Sequence, residues 1–488
     1  MSIDNLVKRL QNIMRQDSGV DGDAQRIAQI VWILFLKVYD AKEELWELYD
    51  DNYESIIPEE LRWRNWAVDN KDGEALTGEA LLEFINDKLF PTLKSLEIDE
   101  TTPKKSTIVK EVFEDAYNYM KNGTLLRQVI NAIDEIDFTE YNERHSFNDI
   151  YETILKDLQS AGKSGEFYSP RATTDFIAEM LDLKIGDKIA DFACGTGGFL
   201  TSAMNILEKQ IKTPEDKEII NKSIYGIEKK ALPHLLCMTN MLLHDIDEPN
   251  IDHMNSLSKN IRDFRENDKF DKILMNPPYG GTEEKAIQMN FPKELQTSET
   301  ADLFVALILY RLKKNGKVGI ILPDNFLFGN ENSQKALKEK LLTECNLHTI
   351  IKLPAGVFAP YTSITTNILF FDKTGSTENI HYYEVPLPEG YKSFSKTKPF
   401  KSIHLDGVRE WWRSNEVADL RDKNENVYSV TIDEVKANNY NLDFKNPNKV
   451  SNEHELTLIE ILNDLDKRSK TIKSLVSKLQ EALEGVEE

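Results

Sequence analysis

The 488 residues of this chain are too many for one ordinary hydrophobic core, so we expect two domains or one domain with large helical additions. A hydrophobic fraction of 40% and a charged fraction of 29% are typical of a soluble globular protein and exclude a disordered or membrane chain. The formal net charge of −23 would repel a nucleic-acid backbone, so a DNA or RNA substrate would require a basic partner.

Neither a membrane segment nor a secretory leader is predicted. The longest apolar run, Ile30–Leu36, is far shorter than the roughly 20 residues that cross a bilayer. The first residues, MSIDNLVKRLQNIM, lack the apolar stretch of a signal peptide. Three widely spaced cysteines, Cys194, Cys237 and Cys345, match no zinc or C-x-x-C spacing, so no metal site is expected. A reducing, cytoplasmic location is the simplest expectation.

Residues 1–150 are predicted to form a helical N-terminal domain. Apolar residues recur with helical spacing in AQRIAQIVWILFLKVYDAKEELWEL and in LLEFINDKLFPTLKSL, and strand-like stretches are few. Trp32, Trp46, Trp63 and Trp66 all lie here, which indicates a packed interior.

From residue 151 the pattern changes to short strand-like segments that alternate with helices. These segments are KIADF, SIYGIE, KILMN, GKVGIIL, HTIIKL and TNILFF. Such alternation predicts a doubly wound, mostly parallel α/β sheet, which binds ligands beyond the carboxyl ends of its strands. We assign residues 151–390 to this domain and residues 391–450 to an extension of it.

Residues 451–488 are predicted to form a terminal helix. Its apolar positions alternate four and three residues apart, with one polar break, at Leu458, Leu462, Leu465, Ser469, Ile472, Val476, Leu479 and Leu483. This heptad spacing fits a coiled coil that binds a partner, and it equally fits a helix that packs on its own domain.

The segment KIADFACGTGGFL joins a buried strand to a helix through a glycine-rich turn. Asp191 ends the strand, and the glycines from Gly195 to Gly198 let a ligand approach the backbone closely. The spacing G-x-G-G favours a nucleoside-like cofactor over a dinucleotide, and a purely structural turn is the alternative. Glu228, at the end of SIYGIE, is in the position of an acid that holds both hydroxyls of a ribose, unless it is an ordinary exposed glutamate.

The segment FDKILMNPPYGG ends an apolar strand with polar and rigid residues. The Asn276 side-chain oxygen and the Pro277 carbonyl are two acceptors, which the prolines hold convergent because they fix φ. Two convergent acceptors suit an exocyclic NH₂ group and would draw its nitrogen toward sp³ geometry, ready to attack a methyl sulfonium. Tyr279 offers a face on which a flipped base can stack. A Pro-Pro strand stop with a core tyrosine is the structural alternative.

The segment SGEFYSPR, at residues 164–171, precedes the glycine turn by about the length of a helix. Its aromatic residues suit the wall of a pocket for an apolar and aromatic cofactor. Ser169 and Pro170 are equally good signals for the start of a helix.

With these motifs in order, the chain resembles the class I S-adenosylmethionine-dependent amino methyltransferases of DNA. It resembles most the modification (M, HsdM) subunit of type I restriction-modification systems. The resemblance extends over nearly the full length, through GEFYSPR, DFACGTGGFL, MNPPYG, GKVGIILPDNFLF, GVFAPYTSITTNILFF and NNYNLDF. It implies a Rossmann-like, seven-stranded sheet with the last strand antiparallel, S-adenosyl-L-methionine as cofactor, and methylation of adenine N6 in duplex DNA. The amine of cytosine, N4, fits the same chemistry.

The resemblance also implies roles for individual residues. The methionine end of the cofactor would be lined by Gly165, Phe167, Tyr168, Ser169 and Pro170. The cofactor turn would be formed by Asp191, Gly195, Thr196, Gly197, Gly198 and Phe199, and Glu228 would bind the ribose. The catalytic loop would be formed by Asn276, Pro277, Pro278 and Tyr279. Phe358 would be a second aromatic residue near the flipped base, with core packing as the alternative.

Two positions depart from the pattern of these relatives. Phe192 stands where relatives often have proline, which should alter the stiffness of the turn more than its function. Asn255 and Ser256 stand where methyltransferases often use an acid to bind the adenine amine of the cofactor. Asn255 can still accept a hydrogen bond.

The acidity of the chain agrees with the resemblance, because such M subunits have no target-reading domain of their own. The implied partners are a specificity (S) subunit, a restriction (R) subunit, a second copy of the chain, and double-stranded DNA reached through the complex. The basic and aromatic segment 391–413 could lie at a DNA edge, but a solvated surface hairpin is the preferred interpretation. Two other functions remain open: an NPPY methyltransferase of a protein glutamine amide or an RNA base, and a non-catalytic scaffold.

Overall fold

The structure is a computed structural model that describes residues 3–69, 75–99, 102–136, 138, 169–413, 425–449, 469–470 and 473. The chain divides into two compact units, Met1–Phe444 and Lys445–Glu488. The predicted heptad helix lies almost entirely outside the described residues, as do Gly165, Phe167 and Tyr168. The division into four domains therefore stays a prediction.

The described residues from 3 to 138 are helical, as expected. Their α-helices are Ile3–Met14, Asp23–Tyr49, Trp63–Trp66, Gly78–Glu83, Phe90–Lys94, Lys104–Glu114 and Gly123–Asp134, with a 3₁₀ turn at Glu59–Leu61 and a π-helical segment at Phe84–Leu89. Trp32 is fully buried and packs edge-on against Phe90 and Phe113, with ring centroids 5.1 and 6.5 Å away. The apolar stripe of the longest helix is therefore the centre of this helical core.

The remaining described residues of the first unit are built around one sheet of nine strands. They are β1 Ile189–Asp191, β2 Ile224–Glu228, β3 Asn250–His253, β4 Phe270–Met275, β5 Leu312–Pro323, β6 Asn346–Lys352, β7 Thr366–Asp372, β8 Asn379–Glu384 and β9 Val427–Thr431. Their order across the sheet is β3-β2-β1-β4-β5-β7-β6-β8-β9. All six strand-like segments found in the sequence correspond to strands of this sheet.

Helices cover both faces of the sheet. They are Arg171–Met180, Gly198–Glu208, Pro214–Ser223, Ala231–Leu243, Lys285–Gln288, Thr300–Arg311, Asp324–Phe328, Asn332–Glu344, Asp406–Arg413 and Ile432–Ala437, with 3₁₀ turns at Ile261–Asp263, Glu266–Asp268, Lys293–Leu295 and Ser402–Leu405. Successive residues of β7, Ile368 and Leu369, belong to two different apolar clusters. Because neighbouring side chains of a strand point to opposite faces, this alternation marks a doubly wound sheet.

Strand direction decides where the sites lie. Strands β1 to β5 pair in parallel, β7 runs antiparallel between β5 and β6, and β8 is parallel to β6. The first seven strands therefore form the expected sheet with an antiparallel seventh strand, and β8 and β9 widen it to nine. Strands β1, β2, β4, β5, β6 and β8 all end at the same edge, which we call the carboxyl edge.

The segment 391–413 is only partly the surface hairpin that the sequence favoured. Its second half forms a 3₁₀ turn followed by the helix Asp406–Arg413. Trp411 is 4% exposed, and its ring lies 5.4 Å from that of Tyr383. The interpretation of the whole segment as solvated was wrong because this aromatic pair anchors the helix to β8.

No helix among the described residues is both long enough and apolar enough to span a membrane.

A buried lysine joins the N-terminal helices to the sheet region. Lys42 is 5% exposed and pairs with Asp245 and, at 3.1 Å, with Asp247. Trp46 Nε1 donates to Asp247 at 3.0 Å. Both aspartates follow the helix Ala231–Leu243, which packs on the helix that carries Lys42.

Replacing Lys42 by alanine should destabilise this contact. Asp247 would lose its paired cation and Asp245 would keep only the more distant Lys217, 3.7 Å away, so we expect the free energy of unfolding to fall by about 2 kcal/mol. Urea denaturation followed by tryptophan fluorescence measures the change. The exposed lysine Lys8 is the control, because Lys8→Ala should alter stability by less than about 0.5 kcal/mol. Equal effects of the two variants would contradict a role for the Lys42 pair.

Candidate active site

The glycine turn after β1 has a backbone that only glycine adopts easily. Gly195 and Gly197 have φ of +55° and +85°, in the left-handed region. Gly197 caps the helix Gly198–Glu208, and its N–H donates to the Cys194 carbonyl at 2.8 Å. A Cβ on Gly197 would lie 3.0 Å from Cys237 Sγ. The turn is therefore held close against the neighbouring helix, and its backbone faces the carboxyl edge.

The Glu228 carboxylate is held by backbone amides at the end of β2. Its Oε2 accepts from Gly195 N at 2.9 Å, and its Oε1 accepts from Lys230 N at 2.7 Å. These bonds join the acid to the glycine turn on the adjacent strand. A carboxylate has about four lone-pair positions, so further hydroxyl donors can bind the same group.

Asp191 stabilises the glycine turn by accepting a hydrogen bond from its backbone. Its side chain is 1% exposed, and its Oδ1 accepts from Ala193 N at 3.0 Å. Burial raises the pKa of Asp191 well above its usual value, the Ala193 amide acts in the opposite direction, and the charge of Glu228 raises it further. Asp191 therefore shapes the backbone of the turn.

The residues after β3 approach the same turn from the other side. Ser256 is buried, and its hydroxyl donates to the Phe192 carbonyl. Asn255 Oδ1 accepts from Leu257 N at 3.0 Å. The ring of Phe192 is itself held by the Arg311 guanidinium, 4.8 Å from its centroid. Phe192 stands where relatives often have proline, and its packing against Arg311 stiffens the turn instead.

Asn276 follows directly after β4 and has an oriented amide. Its Nδ2 donates to Ser169 Oγ at 3.0 Å. Its Oδ1 is buried, and no described residue donates a hydrogen bond to it. Burial raises the pKa of Tyr279, which is 6% exposed, and a hydrogen bond with the Asn276 side chain acts in the opposite direction. The carboxyl edge therefore carries a buried hydrogen-bond acceptor, Asn276 Oδ1, that can accept from a ligand.

A cavity of about 170 Å³ joins the ends of these strands. Seven predicted residues line it: Gly195, Glu228, Asn255, Ser256, Asn276, Pro277 and Pro278. Other predicted residues among those described do not line it: Ser169, Pro170, Asp191, Thr196, Gly197, Gly198, Phe199, Tyr279 and Phe358. Of these, Ser169 contacts the cavity residue Asn276, and Phe358 is 1% exposed in the apolar core. The cavity therefore connects the glycine turn and the NPPY loop directly.

Several lining residues were not predicted: Ala193, Lys229, Lys230, Pro233, Glu283 and Phe304, while Phe192 was noted only as a departure. Two of them, Ala193 and Lys229, directly follow a residue that was singled out, which is a usable signal. Glu283 lies four residues after Tyr279, in a loop that is fixed by its own N–H donating to the Ser298 carbonyl at 2.9 Å. Phe304 lies on the helix Thr300–Arg311, whose apolar residues gave no sign of which face would meet the cavity.

The strand order, the glycine turn after β1, the acid after β2 and the polar loop after β4 together define a class I methyltransferase fold. The family model described as N-6 DNA Methylase matches residues 142–456, and the one described as HsdM N-terminal domain matches residues 3–133. The chain therefore belongs to the N-6 DNA methylase family, which comprises adenine-specific DNA methyltransferases, and within it to the methylase subunits of type I restriction-modification systems.

Individual relatives cover most of the chain. The methylase subunit of the type I restriction enzyme EcoEI from Escherichia coli is 52% identical over 92% of this chain and 91% of that protein. A solved modification subunit, assigned to a type I restriction enzyme from Vibrio vulnificus YJ016, is 40% identical, covers 92% of this chain and 97% of its own, and gives a TM-score of 0.80. A chain from a study of complex assembly and conformational transition of the type I R-M system is 34% identical, covers 99% of this chain and 98% of its own, and gives a TM-score of 0.82.

The Gly197→Ala variant tests the close approach of the turn to its neighbouring helix. Gly186 is a matched control, because its φ is +97° and a Cβ there would meet nothing within 4 Å. Both variants cost about 1–2 kcal/mol for the left-handed backbone. Gly197→Ala should cost roughly 1–3 kcal/mol more because its methyl group overpacks against Cys237. Urea denaturation of both variants measures the difference, and equal destabilisation would contradict the tight packing.

Proposed function

We propose that the cavity binds S-adenosyl-L-methionine together with a flipped adenine, whose N6 receives the methyl group. The observation that carries this proposal is the buried Asn276 Oδ1, to which no described residue donates a hydrogen bond. Leaving such an acceptor unsatisfied costs about 1–3 kcal/mol. A group that donates to it when the site is filled removes this cost, and an exocyclic amine is such a group.

The residues of the cavity fit the proposed cofactor. Glu228 is proposed to accept from the ribose hydroxyls, and Asn255 and Ser256 to contact the adenine end. The left-handed turn at Gly195 brings backbone close to the ligand without a side chain in between. The methionine end is assigned to Ser169 and Pro170, together with Gly165, Phe167 and Tyr168, which lie outside the described residues. The bound cofactor supplies a methyl group that a sulfonium makes electrophilic.

The NPPY loop prepares the attacking amine. The nitrogen of an aryl amine is a poor nucleophile because its lone pair is delocalised into the ring. Asn276 Oδ1 and the Pro277 carbonyl are proposed to accept its two N–H groups, which favours sp³ geometry and frees the lone pair. The prolines keep both acceptors in place, so little reorganisation is needed during transfer.

Tyr279 is proposed to stack on the flipped base, and Phe358 remains a second aromatic candidate. Tyr279 is 6% exposed, so entry of the base has to uncover part of its ring. Phe358 is buried more deeply, and its contribution would require a larger movement of the loop that follows β6. The first role is therefore the stronger of the two.

We further propose that the chain acts in the cytoplasm as part of a larger assembly. A net charge of −23 opposes binding of DNA by this chain alone, so a specificity subunit would supply the reading of sequence. A restriction subunit and a second copy of the chain would complete the complex. The relative from the type I R-M assembly study supports this proposal through its 34% identity over nearly the whole length. Membership of the DNA methylase family disfavours a protein, RNA or scaffold role.

The function is tested with tritiated S-adenosylmethionine and mixed-sequence duplex DNA. Label should appear on adenine when the chain is mixed with its specificity subunit, and not with the chain alone. Asn276→Ala should lower the rate of transfer by at least about 100-fold, because one of the two acceptors is lost. Label on protein or RNA but not on DNA would overturn the proposal.

Cofactor affinity separates catalysis from binding in this test. Equilibrium dialysis of Asn276→Ala should give a cofactor dissociation constant within about threefold of wild type, because the variant removes an interaction with the target amine. The exposed Asn330 is the control, since Asn330→Ala should leave both transfer and binding unchanged. Undiminished transfer by Asn276→Ala would refute the mechanism.

Ser169 allows a second test, because its hydroxyl contacts the Asn276 amide. Ser169→Ala should lower kcat by about tenfold and raise the KM for cofactor, because the hydroxyl positions the Asn276 amide and is also proposed to contact the methionine end of the cofactor. Ser169→Thr keeps the oxygen and should restore most of kcat. A rise in cofactor KM with an unchanged kcat would instead assign Ser169 to cofactor binding alone.

A further inference from the structure

A basic segment follows β8 at the carboxyl edge. Residues 390–401, with the sequence GYKSFSKTKPFK, are called the basic hairpin. Four exposed lysines lie in it, Lys392, Lys396, Lys398 and Lys401. No aspartate or glutamate occurs from residue 390 to residue 405, although the chain as a whole carries a net charge of −23. Positive charge is thus concentrated on the same edge as the NPPY loop.

The basic hairpin is fixed to the loop that follows β6. Phe394 N donates to the Ala355 carbonyl at 3.0 Å. A Cβ on Gly356, whose φ is +82°, would lie 2.2 Å from the Phe394 carbonyl oxygen, so the two backbones are in direct contact. Phe394 and Phe400 are buried and pack edge-on at 5.0 Å. The aromatic residues therefore point inward and anchor the lysines.

The tip of the basic hairpin is closed by backbone hydrogen bonds. Ser395 and Lys398 exchange two of them, each of 3.0 Å. The Lys398 ammonium lies 4.4 Å from the Tyr391 ring centroid. Because the backbone is held on both sides, binding an anion costs the lysines side-chain entropy but no loop ordering.

The four lysines have no acidic partners among the residues that the structure describes. Their neighbours do: Lys352 pairs with Asp443 at 2.7 Å, and Arg409 pairs with Glu179 at 2.7 Å. Another basic stretch, Arg311–Lys317, lies at the opposite edge of the sheet, and its Lys313 pairs with Asp271 at 2.7 Å. The basic hairpin thus presents cationic charge that this part of the molecule does not neutralise.

We propose that the basic hairpin binds the phosphate backbone of the same duplex from which the target adenine is flipped. Three strand spacings separate β4 from β6 and four separate it from β8, in the order β4-β5-β7-β6-β8, or about 14–19 Å at roughly 4.8 Å each. At about 3.4 Å per base pair, this distance places the bound phosphates about four to six base pairs from the target adenine. The distance rests on the proposed function, because it assumes that the adenine enters beside Asn276.

Such binding would give a mostly acidic subunit its own direct contact with DNA phosphates. Lysine interactions with phosphate carry affinity and register but no sequence information. The basic hairpin therefore complements a specificity subunit and does not replace it. Because the basic hairpin lies at a distance from the catalytic loop, it would hold the duplex along the carboxyl edge while the base is extruded.

The test compares two sets of four lysine substitutions in the complex of this chain with its specificity subunit. The first replaces Lys392, Lys396, Lys398 and Lys401 by glutamine. The control replaces four exposed or partly exposed lysines at the opposite edge, Lys184, Lys188, Lys269 and Lys314, by glutamine. Both sets remove the same charge, so a difference between them reports position and not net charge.

DNA affinity is measured against salt concentration without cofactor. The slope of log K against log[salt] should fall by about 0.9 for each phosphate that is no longer neutralised by a lysine, so by roughly 2 to 4 for the hairpin set. The control set should change it by less than about 1. Neutral methylphosphonates placed about four to six base pairs from the adenine should weaken DNA binding by wild type to the same extent and add little in the hairpin set. Methylation by the hairpin set should return at low salt with saturating DNA.

Equal slope changes in the two sets would overturn the proposal. So would loss of specificity-subunit binding with an unchanged slope, because the hairpin would then be a protein interface. A wild-type complex whose slope depends on the hairpin but which transfers no methyl group would support the hairpin and refute the proposed chemistry. Methylation by a complex whose salt dependence of DNA binding does not change in the hairpin set would support the proposed chemistry and refute DNA binding by the hairpin.

Discussion

The parallel direction of the central strands is the constraint on which the site depends. Because β1, β2 and β4 run the same way, their last residues or the residues directly after them lie at one edge, although they are far apart in sequence: Asp191, Glu228 and Asn276. A single reversed strand among them would carry its residue to the other edge. The antiparallel β7 lies outside this group, between β5 and β6, and leaves the arrangement of these three residues intact.

Within that edge, backbone atoms do most of the positioning. Glu228 is held by two amide N–H groups, and Asp191 by one. Asn276 differs, since its amide contacts the side chain of Ser169, from a segment more than 100 residues earlier. The Asn276 amide thus depends on one contact between side chains, whereas the glycine turn is held by several hydrogen bonds from neighbouring elements. Changes near Ser169 should therefore affect chemistry more than folding.

Much of the fold and part of the site could be predicted because local sequence carries their physics. Alternating apolar strands and helices predicted the doubly wound sheet, and the glycines at the left-handed turn identified the end of β1. Strands β8 and β9 were not foreseen, because they are short segments of six and five residues beyond the seven strands that the resemblance implied. Phe304 and Glu283 were missed as cavity residues because their place there follows from how a helix and a loop dock, not from their neighbours in sequence.

The sequence by itself determined the chemistry that the chain carries: a strand stop with an amide and two prolines, a glycine turn, and an acid at the next strand end. Backbone restriction and side-chain type are local properties, so they can be read without a fold. Only the tertiary structure decided which groups meet. It paired Ser169 with Asn276, buried Trp411, and set the basic hairpin on Gly356 at the carboxyl edge. These contacts join distant segments, and packing of the whole sheet selects them.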